Sequence, residues 1–245
     1  MAPTLGTPLY SGNDADLYPV GADRVLRRSR SGTDATREAA VMRHVRDAGF
    51  PAPQVHDATG GDLTMELLRG PTLLQSLIGG GTTLVGTARV LADLHDRLHR
   101  VPPPAPHDPA HAALTAPSFA DLGAPDADPA EPWCVLHLDL HPANVVLTAD
   151  GPALLDWTNA RLGPAGLDVA LTALIVAEVA VDDDDELAPG ARVLLDAFLQ
   201  LADPRVVDHV DAAARTRASD PGRDPAETAI IPRAAALVTR EAGRS

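Results

Sequence analysis

The stretch Leu136–Leu147, "LHLDLHPANVVL", concentrates side chains that can do chemistry: His137, Asp139 and His141 at alternate positions, then Asn144. Two chemistries compete for them. On a β-strand, residues i, i+2 and i+4 point the same way, so the three could converge on a zinc ion, for which imidazole and carboxylate are competent ligands. Pro142, directly after His141, argues against this, because proline neither continues a central strand nor keeps the register such a comb needs. Phosphoryl transfer uses more of the residues. It needs a carboxylate to accept the proton of an attacking hydroxyl, and an amide plus a second carboxylate to hold Mg2+ against nucleotide phosphates. Asp139, Asn144 and Asp156 supply these in order, with the tight-turn pair Asp150-Gly151 placed to fold the segment back on itself.

The elements that must position these residues are legible in outline. From Tyr10 to Arg30, short apolar pieces broken by Gly12-Asn13-Asp14 and by Gly21 and Asp23 predict two strands joined by turns. "TDATREAAVMRHVRDAGF" predicts a helix capped by Thr33 or Asp34, with Glu38, Met42 and Val45 on one face, ended by Gly49 and Pro51. "DLTMELL" alternates Leu63, Met65 and Leu67 and predicts a strand with one buried face. Beyond "RGPTL" the pattern turns helical, with a stripe of Leu84, Ala88, Leu91, Leu94 and Leu98. Residues 101–132, rich in Pro, Ala and Asp, read as a loop or as one short helix near Ser118–Leu122. Three extended pieces follow, "WCVLHL", "NVVLT" and "ALLDW", and the chain is mostly helical from Leu167 onward.

Composition narrows the function classes. The 245 residues are 45% hydrophobic but only 3% aromatic, enough for a sizeable core built from Leu, Val and Ala, which favours helices. The net charge of −14 argues against nucleic acid and suits a cationic small molecule. The longest apolar run, Leu167–Val181, contains Asp168 and Glu178 and is too short and too charged for a bilayer, so no membrane partner is expected. A lone Cys134 and the lack of a basic-then-apolar leader point to the cytoplasm. All 20 basic residues are Arg.

"HLDLHPANVVL" followed by "LLDW" resembles the catalytic and metal-binding segments of the aminoglycoside phosphotransferase and choline kinase group, relatives of the protein kinases. The composite His-x-Asp-x-His-x-x-Asn with a downstream Asp-Trp is specific, whereas a lone His-x-Asp would mean little. The resemblance implies an α+β, bilobal, protein-kinase-like fold: a small β-rich nucleotide-binding lobe at 1–68 and a larger, mainly helical catalytic and substrate-binding lobe at 69–245. It implies Asp139 as the base, with His137 ordering the backbone and His141 either orienting Asp139 or facing the substrate. Asn144 and Asp156 become the Mg2+ ligands. Ser11, Gly12 and Asn13 take the place of the phosphate-covering loop, though no full Gly-x-Gly-x-x-Gly is present. Arg27 falls where the family has a phosphate-gripping Lys, with Arg28 the alternative one position on, and Glu38 matches its acidic partner. Backbone around Glu66 to Leu68 would meet the adenine edge, and Asp168 would steady the catalytic segment from the start of a helix.

The expected function is therefore Mg2+-dependent transfer of the γ-phosphoryl group of ATP to a hydroxyl of a small molecule. The alternative is a kinase-like protein that holds nucleotide or ligand without turnover, suggested by the missing Lys and the incomplete glycine loop. Trp157 reads as packing, Cys134 as core, and the acidic run Asp182–Glu186 as a solvated loop.

Overall fold

The computed structural model describes residues 6–12, 15–115, 131–220 and 222–244. Asn13 and the helix expected near Ser118–Leu122 lie outside them. Five antiparallel strands, β1 (Tyr10–Ser11), β2 (Ala15–Val20), β3 (Arg24–Ser29), β4 (Val55–Thr59) and β5 (Asp62–Glu66), form one sheet in the order β1-β2-β3-β5-β4. The sequence pattern accounts for β2, β3 and β5; β1 and the edge strand β4 are additions. Register pairs Arg27 with Leu63 and Arg28 with Asp62, so the two arginines project from opposite faces. Helix α1 (Thr36–Asp47) buries Glu38, Met42 and Val45, as its periodicity predicts. Asp34 accepts the Thr36 amide at 3.0 Å, and Gly49 ends the helix region at φ +86°.

The helical part contains α2 (Leu73–Ile78), α3 (Leu84–Leu98), α4 (Pro109–Leu114), α5 (Ala165–Val181), α6 (Ala188–Leu199), α7 (Val210–Ala218) and α8 (Pro225–Ala242). Side-chain caps set several starts: Thr72 with Gln75 for α2, Thr83 for α3, Asp108 with Pro109 for α4, and Asp224 with Glu227 for α8. Helix α5 is buried on almost every side and packs against α6, α7 and α8. Among the described residues no helix is long and apolar enough to cross a membrane.

Four short strands sit between the sheet and the helices. β6 (Trp133–Leu136) pairs with β9 (Arg161–Pro164), and β7 (Val145–Thr148) pairs with β8 (Gly151–Leu154) across the Asp150-Gly151 turn. The β7–β8 hairpin is clasped from both sides. The Leu147 amide donates to Pro71 O at 2.9 Å on the segment leaving β5, and the Leu154 amide donates to Pro51 O at 2.9 Å on the segment leaving α1. One hydrophobic core runs through the joint, from Val25, Met42 and Leu63 to Leu91, Leu136, Leu154 and the α5 leucines.

The clasp depends on Gly70. Its φ is +147°, and a Cβ there would lie 2.0 Å from Leu147 O, so both backbone conformation and close approach exclude a side chain. Gly70→Ala should therefore lower the unfolding free energy by about 3 kcal/mol or more, combining strain with overpacking. Gly80→Ala, at φ +74° with open space around its Cβ, should cost only about 1 kcal/mol. Urea titration of both variants tests the contrast.

Candidate active site

After β6 the backbone turns at Leu138, whose φ of +64° is unusual for a side chain with a Cβ. The turn decides the fate of the three alternating residues. Leu138 and Leu140 enter the core, Asp139 and His141 emerge half-buried, and His137 is driven inward with no exposed surface. His137 Nε2–H donates to Leu155 O at 2.9 Å, and its Nδ1 accepts the Asp139 amide at 3.2 Å. Its ring meets Trp157 edge-on at 4.8 Å. Burial pushes its pKa down against the pull of Asp168 and Asp139, so both nitrogens of a neutral ring are spent on backbone. The metal comb thus fails at its first tooth, not only at Pro142.

Asp139 is shaped by Asn144 and His141. Asn144 Nδ2 donates to both Asp139 O and Asp139 Oδ2 at 2.9 Å, which leaves its Oδ1 as the outward donor atom. His141 Nδ1 accepts the Ala143 amide at 3.3 Å, which places its proton on Nε2, 3.6 Å from Asp139 Oδ2. Burial pushes the Asp139 carboxyl up, but His141, then His137 and Arg217, outweigh it, and the pKa lies below the ordinary value. Asp139 is an ionised carboxylate whose Oδ1 has no hydrogen bond among the described residues.

Asp168, in the first turn of α5, holds this segment in place rather than capping its own helix. Its Oδ1 accepts the Leu138 amide at 2.7 Å, and Oδ2 accepts the His137 amide at 3.1 Å and His99 Nε2–H at 3.0 Å. Although burial alone would raise its pKa, the neighbouring His95 and His99 bring it well below the carboxylate range. Thr172, one turn further along α5, donates to Leu140 O at 2.6 Å. These α3 histidines and Thr172 escape sequence reading, since His95 lies on the same face as the leucine stripe and looks like a break in it.

Asp156 stands at the far end of the hairpin. The Leu155 amide donates to Asn144 O at 2.8 Å, so a single bonded rail joins the two expected metal ligands. Asp156 also has positive φ, +60°. Its Oδ1 accepts Thr158 Oγ1–H at 2.9 Å, and Thr158 Oγ1 lies 3.3 Å from Glu38 Oε2 and 3.4 Å from Arg27 Nη1. Glu38 in turn pairs with Arg27 Nη2 and accepts the Trp157 amide at 3.3 Å. Arg27, Glu38, Thr158 and Asp156 therefore form one network across the joint. Thr158 is absent from the sequence-derived set, because only the fold brings it to Glu38. Arg28 is spent on the other face in a two-pronged bond to Asp62 at 2.7 and 2.6 Å.

The remaining expected residues are more scattered. Ser11 ends β1, paired with Asp16, and the Gly12 amide after it donates to Ala15 O at 3.0 Å. Glu66 closes β5: its amide donates to Gln54 O at 2.8 Å, and its Oε2 accepts the Gln54 amide at 3.0 Å. The Leu67 amide donates to Asp23 O at 2.9 Å, whereas the Leu68 amide makes no backbone bond among the described residues. Trp157 is buried packing, edge-on to Phe50 at 5.5 Å. Cys134 is core, its thiol pushed up to about 12 by burial. Within the acidic run, Asp182 and Asp185 accept nearby amides, and Asp183 pairs with Arg233 at 2.8 Å.

Solved structures similar to this chain in fold include an aminoglycoside phosphotransferase and two small-molecule kinases. Aminoglycoside phosphotransferase APH(4)-Ia is 17% identical at a TM-score of 0.66, over 96% of this chain and 93% of that one. An ethanolamine kinase from Plasmodium vivax is 12% identical at 0.65, over 95% and 83%. The amicoumacin kinase hAmiN, in complex with AMP-PNP, Ca2+ and Ami, is 12% identical at 0.60, over 96% and 88%. The chain itself belongs to the phosphotransferase enzyme family (APH), whose sequence model matches residues 6–122 and 107–208. No curated protein matches it in sequence.

Burial pushes the Glu38 carboxyl from its ordinary 4.5 up to about 7, against the opposing pull of Arg27. Between those values the folded chain binds a proton that the unfolded chain releases, so this group lowers stability as pH rises through the window and contributes a constant cost above it. Glu38→Gln removes the titration. The stability of the parent relative to this variant should fall from about pH 4.5 to about 7 and then level off, as read from denaturant titrations at a series of pH values. A difference that stays flat would contradict the raised pKa.

Proposed function

We propose that the chain transfers the γ-phosphoryl group of ATP to a hydroxyl of a small molecule, with Mg2+ as the metal. The observation that carries this reading is the pairing of Asn144 Nδ2 with the Asp139 carboxylate on a rail that continues through Leu155 to Asp156. It sets a proton acceptor beside two outward oxygen donors. Asn144 Oδ1 and the Asp156 carboxylate are hard oxygen ligands of the kind Mg2+ takes. Bound there, Mg2+ neutralises charge on the nucleotide phosphates. Arg27, kept in place by Glu38, faces the phosphates as a fixed cation that can grip two oxygens at once.

In this reading residues 1–68 are the nucleotide-binding lobe and 69–245 the catalytic and acceptor-binding lobe. The Glu66 carbonyl and the Leu68 amide meet the adenine edge, and Ser11 to Asn13 cover the phosphates. The acceptor oxygen bonds to the γ-phosphorus as the bridging P–O bond to ADP breaks. The hydroxyl proton passes to Asp139 Oδ1, since Asn144 and His141 both contact Oδ2. His137 and Asp168 orient this carboxylate without touching substrate. Catalysis of this kind rests on positioning and charge more than on covalent chemistry. The net charge of −14 suits an amine-bearing acceptor and disfavours nucleic acid. The alternative without turnover draws on the missing Lys and the incomplete glycine loop; the Arg27–Glu38 pair supports turnover on the first point alone.

Asp139→Asn should leave Mg2+-ATP binding nearly intact and lower turnover by about a hundredfold, the usual size of a lost general base. Asp156→Ala should instead abolish metal-dependent nucleotide binding, because Asn144 alone is a neutral, weak anchor. Calorimetry with Mg2+-ATP and a coupled ADP assay over a panel of amino alcohols, aminoglycosides and sugars separate the two; equal loss of binding and turnover in Asp139→Asn would refute its role.

The Arg27–Glu38 pair makes a further distinction. Arg27→Ala should weaken ATP binding or turnover by about tenfold or more, the scale of one charge-assisted contact. Arg28→Ala, which loses only the Asp62 pair on the other face, should do far less. The same calorimetry decides, and the reverse order would place the phosphate cation at Arg28.

A further inference from the structure

Against the His137 and Leu138 amides of the catalytic segment, His95, His99 and Asp168 converge. One ligand atom from each lies within 4.8 Å of the other two. His95 on α3 and His99, the residue that follows the helix as its C-cap, are four residues apart and so share a face. The bonding of His95 is unusual. Thr172 has a single hydroxyl proton and donates it to Leu140 O, so it can only accept from His95 Nε2 at 2.9 Å, which fixes the His95 proton on Nε2. His95 Nδ1 is then a bare lone pair, with no hydrogen-bond partner among the described residues, on a side chain only 3% exposed. It points at Asp168 Oδ2 from 3.5 Å, lone pair against carboxylate. Two acceptors facing each other in a buried site are mutually repulsive unless a cation lies between them.

We propose that His95 Nδ1, His99 Nε2 and Asp168 Oδ2 form a binding site for a borderline transition cation, with Zn2+ the best fit, separate from the Asn144–Asp156 pair. With metal–ligand bonds of about 2.0–2.2 Å, adjacent ligand atoms of a tetrahedral site lie about 3.3 Å apart. The two edges to Asp168 Oδ2 are 3.0 Å from His99 and 3.5 Å from His95, on either side of that value. Two imidazoles and one carboxylate select Zn2+, Cu2+ or Ni2+ over Mg2+. His95 already has the outer bond that orients a metal-bound imidazole, through Nε2–H to Thr172. His99 would bind through Nε2 after its proton moves to Nδ1, the ion replacing the hydrogen bond to Asp168. An opening exists for the ion and for a fourth ligand such as water. A cavity of about 260 Å3 is lined by both histidines and by Phe198, with three carboxylates, Asp96, Glu131 and Asp203, against one cation, Arg100, on its wall.

The full chain, stripped of metal by a chelator, is titrated with Zn2+ by calorimetry and with Co2+ by visible absorption. One equivalent of tight Zn2+ is expected, with a rise in Tm, because the ion binds only the folded chain. Bound Co2+ should give the strong visible bands of a four- or five-coordinate site. His99→Gln, at a partly exposed position, should weaken Zn2+ by at least about tenfold and remove those bands, while Asp156→Ala should leave both unchanged. Absence of tight binding, binding that survives His99→Gln, or binding lost in Asp156→Ala would each overturn the assignment. The Co2+ spectrum of the unsubstituted chain decides even if His99→Gln does not fold, since weak six-coordinate bands alone would also refute it.

Discussion

Asp168 is a carboxylate removed wholly from water, and such a group is tolerated only where hydrogen bonds and opposite charge replace the lost hydration. It obtains the replacement from two consecutive backbone amides, at His137 and Leu138, and from His99. The exchange works in both directions. Leu138 stands in a backbone conformation that costs a residue with a Cβ about 1–2 kcal/mol, and the bond to its amide offsets that cost. The positive φ at Leu138 turns His137 inward and Asp139 outward, so the orientation of the candidate base follows from a buried acid on another element.

A second constraint lies in the hairpin. β7 and β8 carry Asn144 and Asp156 at their two ends, and the same pair of strands is bonded to the chain leaving β5 and to the chain leaving α1. Trp157 adds a packed link, with Phe50 on one side and His137 on the other. The Arg27–Glu38–Thr158–Asp156 network closes the same joint in polar terms. Oxygen donors, guanidinium and base are therefore spaced by one connected structure.

The sequence made the candidate site more legible than the fold around it. Asp139, Asn144 and Asp156 lie within one hairpin's length, so local turn chemistry suffices to bring them together. Strand β5 and helix α1 were readable because their apolar periods match their burial. β4 was not, because "VHDAT" at a sheet edge mixes His56 and Asp57 into the alternation, and its pairing with β5 is irregular there. β9 was hidden by Gly163 and Pro164, which argue against a strand until β6 is seen beside it. α4 announced itself only through Asp108-Pro109, a cap followed by a first-turn proline, in a segment otherwise read as loop. Thr158, His95 and His99 had no local signal, since their partners lie about 70 to 120 residues away in the chain.

The chain contains no side-chain amine, and the cation beside Glu38 is a guanidinium. That has a chemical consequence for anyone wishing to mark this cleft. Acyl transfer, carbamylation and imine formation need a nucleophilic nitrogen that can shed its proton, and arginine does not do so in a protein. Lysine-directed reagents would pass over this cleft. A vicinal dicarbonyl, which condenses with guanidinium groups, could reach Arg27 only by prising it from Glu38, so the ion pair also shields the cleft from covalent modification.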